Sequence, residues 1–320
     1  MKTLKVGVVG VGYFGQFHVE KYSKMKDVEL VGVVDADPSR AREIAKRYGT
    51  QPLEHHTELF KKVQAVSIAV PTPFHFSVTK DFFLQGIDVL LEKPISNTLG
   101  EADELIALAE SRDLIFQIGH LERFNGALSA IEGWTRHPGF IESYRLGPFT
   151  GRGVEVDVVL DLMVHDIDII LSLLDSKVKD LQAAGVPILT RYPDMANARI
   201  EFENGCVASL TASRVSTDKV RKTRIFQPDG ILCIDYLSQK LFFSKKGGLP
   251  EGEKMLGMMT AEIPVQKMDL LEAEIRSFLQ SVKNRKNPRV SGLDGRRTLE
   301  LALQINQRIS DLNKNKRPGG

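Results

Sequence analysis

The chain reads as α/β: an amino-terminal doubly wound parallel sheet, followed by an α+β domain built on an open, largely antiparallel sheet. Three observations predict this. A strand-like run over residues 4–9 meets a Gly-x-Gly-x-x-Gly turn that opens a helical stretch. Strands and helices then alternate to about residue 120, the pattern of a parallel sheet with right-handed crossovers. Beyond it, alternating runs are joined at Asn204-Gly205 and Asp229-Gly230, both hairpin signals.

In the first half each element has a local cause. Leu4-Lys5-Val6-Gly7-Val8-Val9 is a buried-strand pattern. Gly10 permits the tight turn that follows, Gly12 lets backbone approach a pyrophosphate, and Gly15 lets the next helix pack closely on the sheet. That helix, to about Met25, offers free N–H groups and a positive dipole to phosphates. The second strand, 28–34, ends at Asp35, 20 residues after Gly15, where a carboxylate can bond the adenosine ribose hydroxyls. Asp37-Pro38 already supplies the helix start there, so Asp35 is read as a cofactor residue. A 2′-phosphate would be repelled by it, which favours NAD over NADP; Arg40 and Arg42 keep dual use open. A third strand, 65–70, ends in Pro71-Thr72-Pro73-Phe74-His75. A helix to Gln85 leads to the strand 88–91 and to Glu92-Lys93-Pro94, and a helix over 99–112 leads to the strand 115–118. Ligands of such sheets bind beyond the carboxyl ends of the strands, where Gly10, Asp35, Pro71, Lys93 and Gly119 all fall. These elements delimit a dinucleotide-binding Rossmann domain at 1–120.

The remaining residues, 121–320, are expected to form a substrate-binding and oligomerisation domain, with the carboxyl-terminal helix packing back on the first. Residues 124–136 read as a helix and 141–146 as a strand, followed by a glycine-rich loop that contains Arg152. Asp161-Leu162-Met163-Val164-His165-Asp166-Ile167-Asp168 then opens a helix dense in apolar residues, on which Asp161 and His165, four apart, share a face. Charge on a buried helix is costly unless paired or used. Two readings stand: Asp161 caps the helix over a core histidine, or the two form a carboxylate–imidazole pair that moves protons near neutral pH. Strands at 196–202, 206–213, 223–227, 230–236 and 241–243 build the antiparallel sheet. Helices cover one of its faces, and the other is left for a second subunit, so a homodimer or homotetramer is expected. Met255, Met258 and Met259 fall in a loop before Pro264, and 272–283 and 296–312 are amphipathic helices.

Composition narrows the function class. The 43 basic and 41 acidic residues leave a net charge of +2, against a general nucleic-acid binder. Cys206 and Cys233 have neither disulfide-framework nor zinc-site spacing. With no apolar run approaching the roughly 20 residues of a membrane span and no secretory signal ahead of the first strand, a cytoplasmic protein without a membrane partner is expected.

Taken together, Gly10-x-Gly12-x-x-Gly15-x-x-His18, Pro71-Thr72-Pro73-x-His75, Glu92-Lys93-Pro94 and Asp161-x-x-x-His165 resemble the glucose–fructose oxidoreductase and inositol dehydrogenase (Gfo/Idh/MocA) family over almost the whole chain. The resemblance implies a set of Lys93, Asp161 and His165 facing the nicotinamide. It also implies a cofactor site drawn from Gly10, Gly12, Tyr13, Phe14, Gly15, Asp35, Pro71, Thr72, His75, Glu92 and Lys93, with His75 near the nicotinamide ribose. A narrower resemblance rests on Gly119-His120-Leu121-Glu122-Arg123-Phe124-Asn125 and on the Asp161–Asp168 stretch. It is to the branch of bacterial UDP-N-acetylglucosamine 3-dehydrogenases, although Gly126 stands where such proteins often carry proline. It implies a nucleotide-sugar substrate, a secondary hydroxyl oxidised to a 3-keto sugar, and NAD as hydride acceptor. Either His165 or Lys93 would be the base, the other binding the reacting oxygen. Arg123 is then a candidate for the diphosphate or a partner of Glu122 or Asp168. Asn125 reads the sugar or caps the next helix, and Arg152 joins the substrate residues. A free polyol such as an inositol is the alternative substrate, and a non-catalytic NAD-binding regulator the alternative class.

Overall fold

The computed structural model describes residues 3–131, 133–151, 156–246 and 258–315. Two compact units result: Met1–Leu121 with Asp269–Leu299, and Glu122–Met268 with Glu300–Gly320.

In the first unit β1 (Leu4–Val9), α1 (Gly15–Lys24), β2 (Val28–Val34), α2 (Pro38–Tyr48), β3 (Gln51–Leu53), β4 (Ala65–Ile68), α3 (His75–Leu84), β5 (Asp88–Glu92), α4 (Leu99–Ser111) and β6 (Phe116–Gly119) follow in order. The sheet order is β3-β2-β1-β4-β5-β6, and every pairing is parallel. Val6, Val8, Val66, Ile68, Val89 and Leu91 are fully buried, as strands covered on both faces require. The helix starts are encoded locally. Asp37 accepts from the Ser39 and Arg40 amides, and Thr98 and Glu101 form a reciprocal capping box. The short edge strand β3 was not expected from the sequence; it has three residues, one of them Pro52, too few to show a period.

The second unit contains α5 (Gly126–Ser129), β7 (Phe140–Leu146), α6 (Val164–Leu173), β8 (Val178–Val186), β9 (Met195–Phe202), β10 (Val207–Ser213), β11 (Val220–Gln227), β12 (Gly230–Asp235), β13 (Lys240–Lys246) and β14 (Met258–Ile263). These strands form one sheet in the order β14-β13-β12-β11-β7-β10-β9-β8, antiparallel throughout except for the parallel β7–β10 pair. On β9, Ala196, Ala198, Ile200 and Phe202 point into the core while Met195, Asn197, Arg199 and Glu201 alternate outward. That core also takes Met163, Ile167 and Ile170. Gly205 adopts φ +85° in the predicted hairpin.

Three expectations need correction. The helix expected over 124–136 shrinks to α5: Phe124 ends a separate 3-10 turn, Asn125 is extended at φ −70° and ψ 127° and caps α5, and Gly133 beyond it takes a positive φ of 85°. Met258 and Met259 lie in the exposed edge strand β14 and not in a loop; Met255 lies outside the described residues. The second domain does not run unbroken from 121 to 320. Helix α7 (Leu270–Asn284) buries Ile275, Phe278, Leu279 and Val282 in the first unit's core, worth about 1.5–3 kcal/mol per fully buried side chain. The last helix, α8 (Gly292–Asn315), starts against Phe116 and Ile118 of that unit, while its Leu301, Ala302, Ile305 and Ile309 belong to the second unit's core. Among the described residues no helix is long and apolar enough to cross a membrane.

Candidate active site

Each glycine of the first turn has a distinct geometric reason. Gly10 has φ +82°, and a side chain on it would lie 2.6 Å from the Ala69 carbonyl. One on Gly15 would lie 1.8 Å from the Gly10 carbonyl. Gly12 faces open space, with only an Arg40 nitrogen at 3.9 Å from an added Cβ. Helix α1 begins there with no side-chain cap and no acidic residue in its first turn, so its amides and positive end are left for an anion. Asp35 does more than the sequence suggests. Its Oδ2 accepts from the Val11 amide at 2.8 Å and its Oδ1 from the Asp37 amide at 2.9 Å, so it also shapes the glycine turn. Arg40 lies 3.6 Å from Asp35. Tyr13 and Phe14 are about half exposed beside the turn, and Pro71 opens the short helical turn Thr72–Phe74. This cradle fits a dinucleotide.

The segment after β5 is braced on both sides of Lys93. Glu92 accepts from Nε2 of the buried His18 at 3.1 Å. In the parallel register Glu92 faces Gly119, where an added Cβ would sit 3.1 Å from the Glu92 carboxyl; the glycine makes room for the acid. Burial opposes the Glu92 charge, but His18 and then Lys93 outweigh it and lower its pKa. On the other side the Lys93–Pro94 bond is cis, and the Pro94 carbonyl lies 2.7 Å from His75 Nδ1. His75 Nε2 lies 2.9 Å from the Val70 carbonyl. His75 is 1 % exposed, and burial pushes its pKa down against the pull of the two carbonyls. It ties the end of β4 to the Lys93 segment.

Asp161 and His165 belong to the second unit, Lys93 to the first. The cap of their helical segment is Asp157, whose Oδ1 accepts from the Val159 and Leu160 amides at 2.9 and 3.1 Å, so the capping reading of Asp161 falls. Asp161 instead sits in a π-helical turn, Val159–Met163, directly before α6. Such turns are rare and recur at functional sites. Asp161 and His165 are both half-buried.

Behind them lies a charge network that sequence reasoning missed. Arg145, 2 % exposed, donates from Nε and Nη2 to Asp166 at 2.8 and 3.1 Å and from Nη1 to Glu122 at 3.1 Å. Ser143 donates to Asp166 at 2.9 Å. The signal was available: Ile141, Ser143 and Arg145 share the inward face of β7, and a charge at such a position needs partners. Arg123 pairs with Asp168 at 3.3 Å. Asn125 is 0 % exposed; it caps α5 through the Ala127 amide and donates to Glu122 and to the Tyr236 carbonyl, the capping one of its two expected roles. Gly126 has a reason of its own, since an added Cβ would lie 2.1 Å from the Gln266 carbonyl. Arg152 lies outside the described residues.

Comparison with known proteins agrees with this geometry. Residues 4–120 match the model of an oxidoreductase family, NAD-binding Rossmann fold, and residues 125–232 match the Gfo/Idh/MocA C-terminal domain. The chain is 36% identical over 311 residues to UDP-N-acetylglucosamine 3-dehydrogenase of Acidithiobacillus ferrooxidans, covering 95% of this chain and 97% of that protein. A solved structure of that enzyme superposes with a TM-score of 0.91, 35% identity and coverage of 97% and 99% of the two chains. Scyllo-inositol dehydrogenase from Lactobacillus casei, solved with NAD(H) and scyllo-inositol, gives a TM-score of 0.81 at 20% identity over 97% and 98%, a likeness of fold.

Proposed function

The chain belongs to the Gfo/Idh/MocA oxidoreductase family, and from that premise we propose that it oxidises the C3 hydroxyl of UDP-N-acetylglucosamine, or a close nucleotide sugar, to a 3-keto sugar. The observation that carries this reading is the nearly full-length match to the Acidithiobacillus enzyme. Gly10, Gly12, Gly15 and the start of α1 would hold the pyrophosphate of the dinucleotide, and Asp35 the adenosine ribose. NAD⁺ bound there supplies the hydride acceptor. The carboxylate at Asp35 favours NAD over NADP, because a 2′-phosphate would meet its charge.

The chain's own residues handle the proton and the oxygen. His165 accepts the hydroxyl proton at an imidazole nitrogen, as a neutral imidazole can near pH 7. Lys93 donates a hydrogen bond to the same oxygen and stabilises the negative charge that develops on it. Its anchored neighbours, Glu92 and Pro94, restrict where its backbone can go. Asp161 orients the imidazole. Lys93→Ala and His165→Ala are each expected to lower kcat by about 10²–10⁴-fold. The double variant should be little worse than the worse single one, because groups acting as a unit are non-additive. Near-wild-type kcat in either single variant removes that residue from the reaction.

The substrate is tested by following NAD reduction with a panel of UDP-sugars and free polyols. UDP-N-acetylglucosamine should give the highest kcat/KM. Turnover of inositols with none of UDP-sugars would overturn the substrate and leave the oxidoreductase class intact.

A further inference from the structure

Beside Lys93, inside the first unit, lies a buried polar cluster that the proposed reaction does not use. His18 of α1, Glu92 of β5 and Glu274 of α7 bring a ring nitrogen and carboxylate oxygens within 4.8 Å of one another. Glu274 is 0 % exposed, and neither of its carboxyl oxygens has a hydrogen-bond partner. Its main chain is held, because Gln117 Nε2 donates to the Glu274 carbonyl at 3.2 Å. The donor of the cluster, His18 Nε2, is spent on Glu92. Two ionised carboxyls this close, one of them fully buried and the other, Glu92, 16 % exposed, repel each other, and a single proton relieves them.

We propose that Glu274 is a neutral carboxylic acid in the folded protein, keeping the one proton of the pair, and that it is a positioning residue: by directing that proton at the ionised Glu92 it holds the Glu92 carboxylate against His18 and next to Lys93. The titratable groups acting on the pair are His18 and Tyr22 from α1, Glu92 and Lys93 at the end of β5, and His75 from α3. Tyr22 stays protonated, its hydroxyl bonded to Ser67 at 2.8 Å. Burial, and after it the Glu92 charge, hold the Glu274 carboxyl well above the usual range. The protonation of Glu274 stands on this geometry alone; its bearing on catalysis rests on the role assigned above to Lys93.

The linkage has a definite sign. A carboxyl whose folded pKa exceeds its unfolded value stabilises fully below the unfolded pKa and loses that contribution as pH rises through the folded pKa. The full chain and Glu274→Gln, which keeps the shape and cannot ionise, are unfolded in urea from about pH 6 upward. The folding constant of the variant relative to wild type should rise about tenfold per pH unit until Glu274 ionises. A flat ratio overturns the proposal. If the variant does not fold, wild type labelled with [¹³C]glutamate serves instead: an isotope-shifted neutral-carboxyl stretch is expected in its infrared spectrum at neutral pH, and its absence is equally decisive against the idea. Zinc or manganese that stabilises wild type but not Glu274→Gln would replace the proton with a metal ion and also overturn it. For the positioning role, Glu274→Gln should retain kcat, whereas Glu274→Leu should lose about 10- to 100-fold with KM for NAD unchanged. Full kcat in Glu274→Leu rejects that role. An active Lys93→Ala would remove the catalytic link and leave the proton measurement standing.

Discussion

Replacing Arg145 by methionine tests whether the buried network holds the second unit together. The guanidinium makes three hydrogen bonds, two to Asp166 and one to Glu122, and both acids are nearly inaccessible, at 2 % and 5 %. Methionine keeps most of the apolar volume, so the loss is electrostatic more than a cavity. Removing one partner of a buried ion pair costs about 3–5 kcal/mol, because the other charge stays behind without compensation. Arg221, 3.6 Å from Glu122 and partly exposed, softens the loss for Glu122. Asp166 keeps the Ser143 hydroxyl. The expected cost therefore lies near the lower end, about 3 kcal/mol. Trp134 is the only tryptophan and belongs to the second unit, so its fluorescence in urea reports on that unit. With a slope of about 2–3 kcal/mol per molar urea, the midpoint should fall by about 1–1.5 M. Adding Asp166→Leu to Arg145→Met should recover part of the loss, since replacing both members of a buried pair by apolar groups is often close to neutral. A midpoint shift below about 0.3 M, or a double variant no better than the single, would refute the reasoning.

Asp35→Ser should narrow the NAD-over-NADP ratio of kcat/KM, with Arg40 left 3.6 Å from the vacated carboxylate position to meet a 2′-phosphate; a wild-type preference for NADP would sink the NAD assignment. Asp194 accepts from the Ile188, Leu189 and Thr190 amides at 2.6–2.9 Å and from Arg214 at 2.8 Å; burial opposes its charge, but these donors hold its pKa well below the ordinary value. Because that folded pKa is depressed, its stabilisation is present above about pH 4 and lost as pH falls further; Asp194→Asn should cost about 1.5–3 kcal/mol near neutral pH, and the gap to wild type in Trp134 fluorescence melts should close in acid. The outward face of the second unit's sheet, which carries Phe140, Tyr144, Phe226 and Phe242 among polar residues, is proposed to seat a second copy; a monomeric mass by light scattering with full activity would count against it.

The dinucleotide turn was legible because its chemistry is local: Gly10, Gly12 and Gly15 each answer a constraint set by neighbours in the turn. The hairpins at Asn204-Gly205 and Asp229-Gly230 were legible for the same reason. What local signals cannot give is the partner across the fold. The periodicity of α7 marks Ile275, Phe278 and Val282 as a buried face but does not say which core receives them, and they return to the first unit. His75 was expected near the nicotinamide ribose from the resemblance alone; that its ring also bridges the Val70 and Pro94 carbonyls depends on where the fold brings those two segments. Asp161 lost its capping role to Asp157, a residue four positions earlier that the apolar pattern gave no reason to single out. Glu274 makes the point most sharply. It stands next to Ile275 and four residues before Phe278, so an acid on the apolar face of a helix was visible in the sequence. An acid so placed must find a cation, a metal or a proton. Which of these it finds depends on Glu92, 182 positions away in the sequence, and on His18 having already given its donor to that residue.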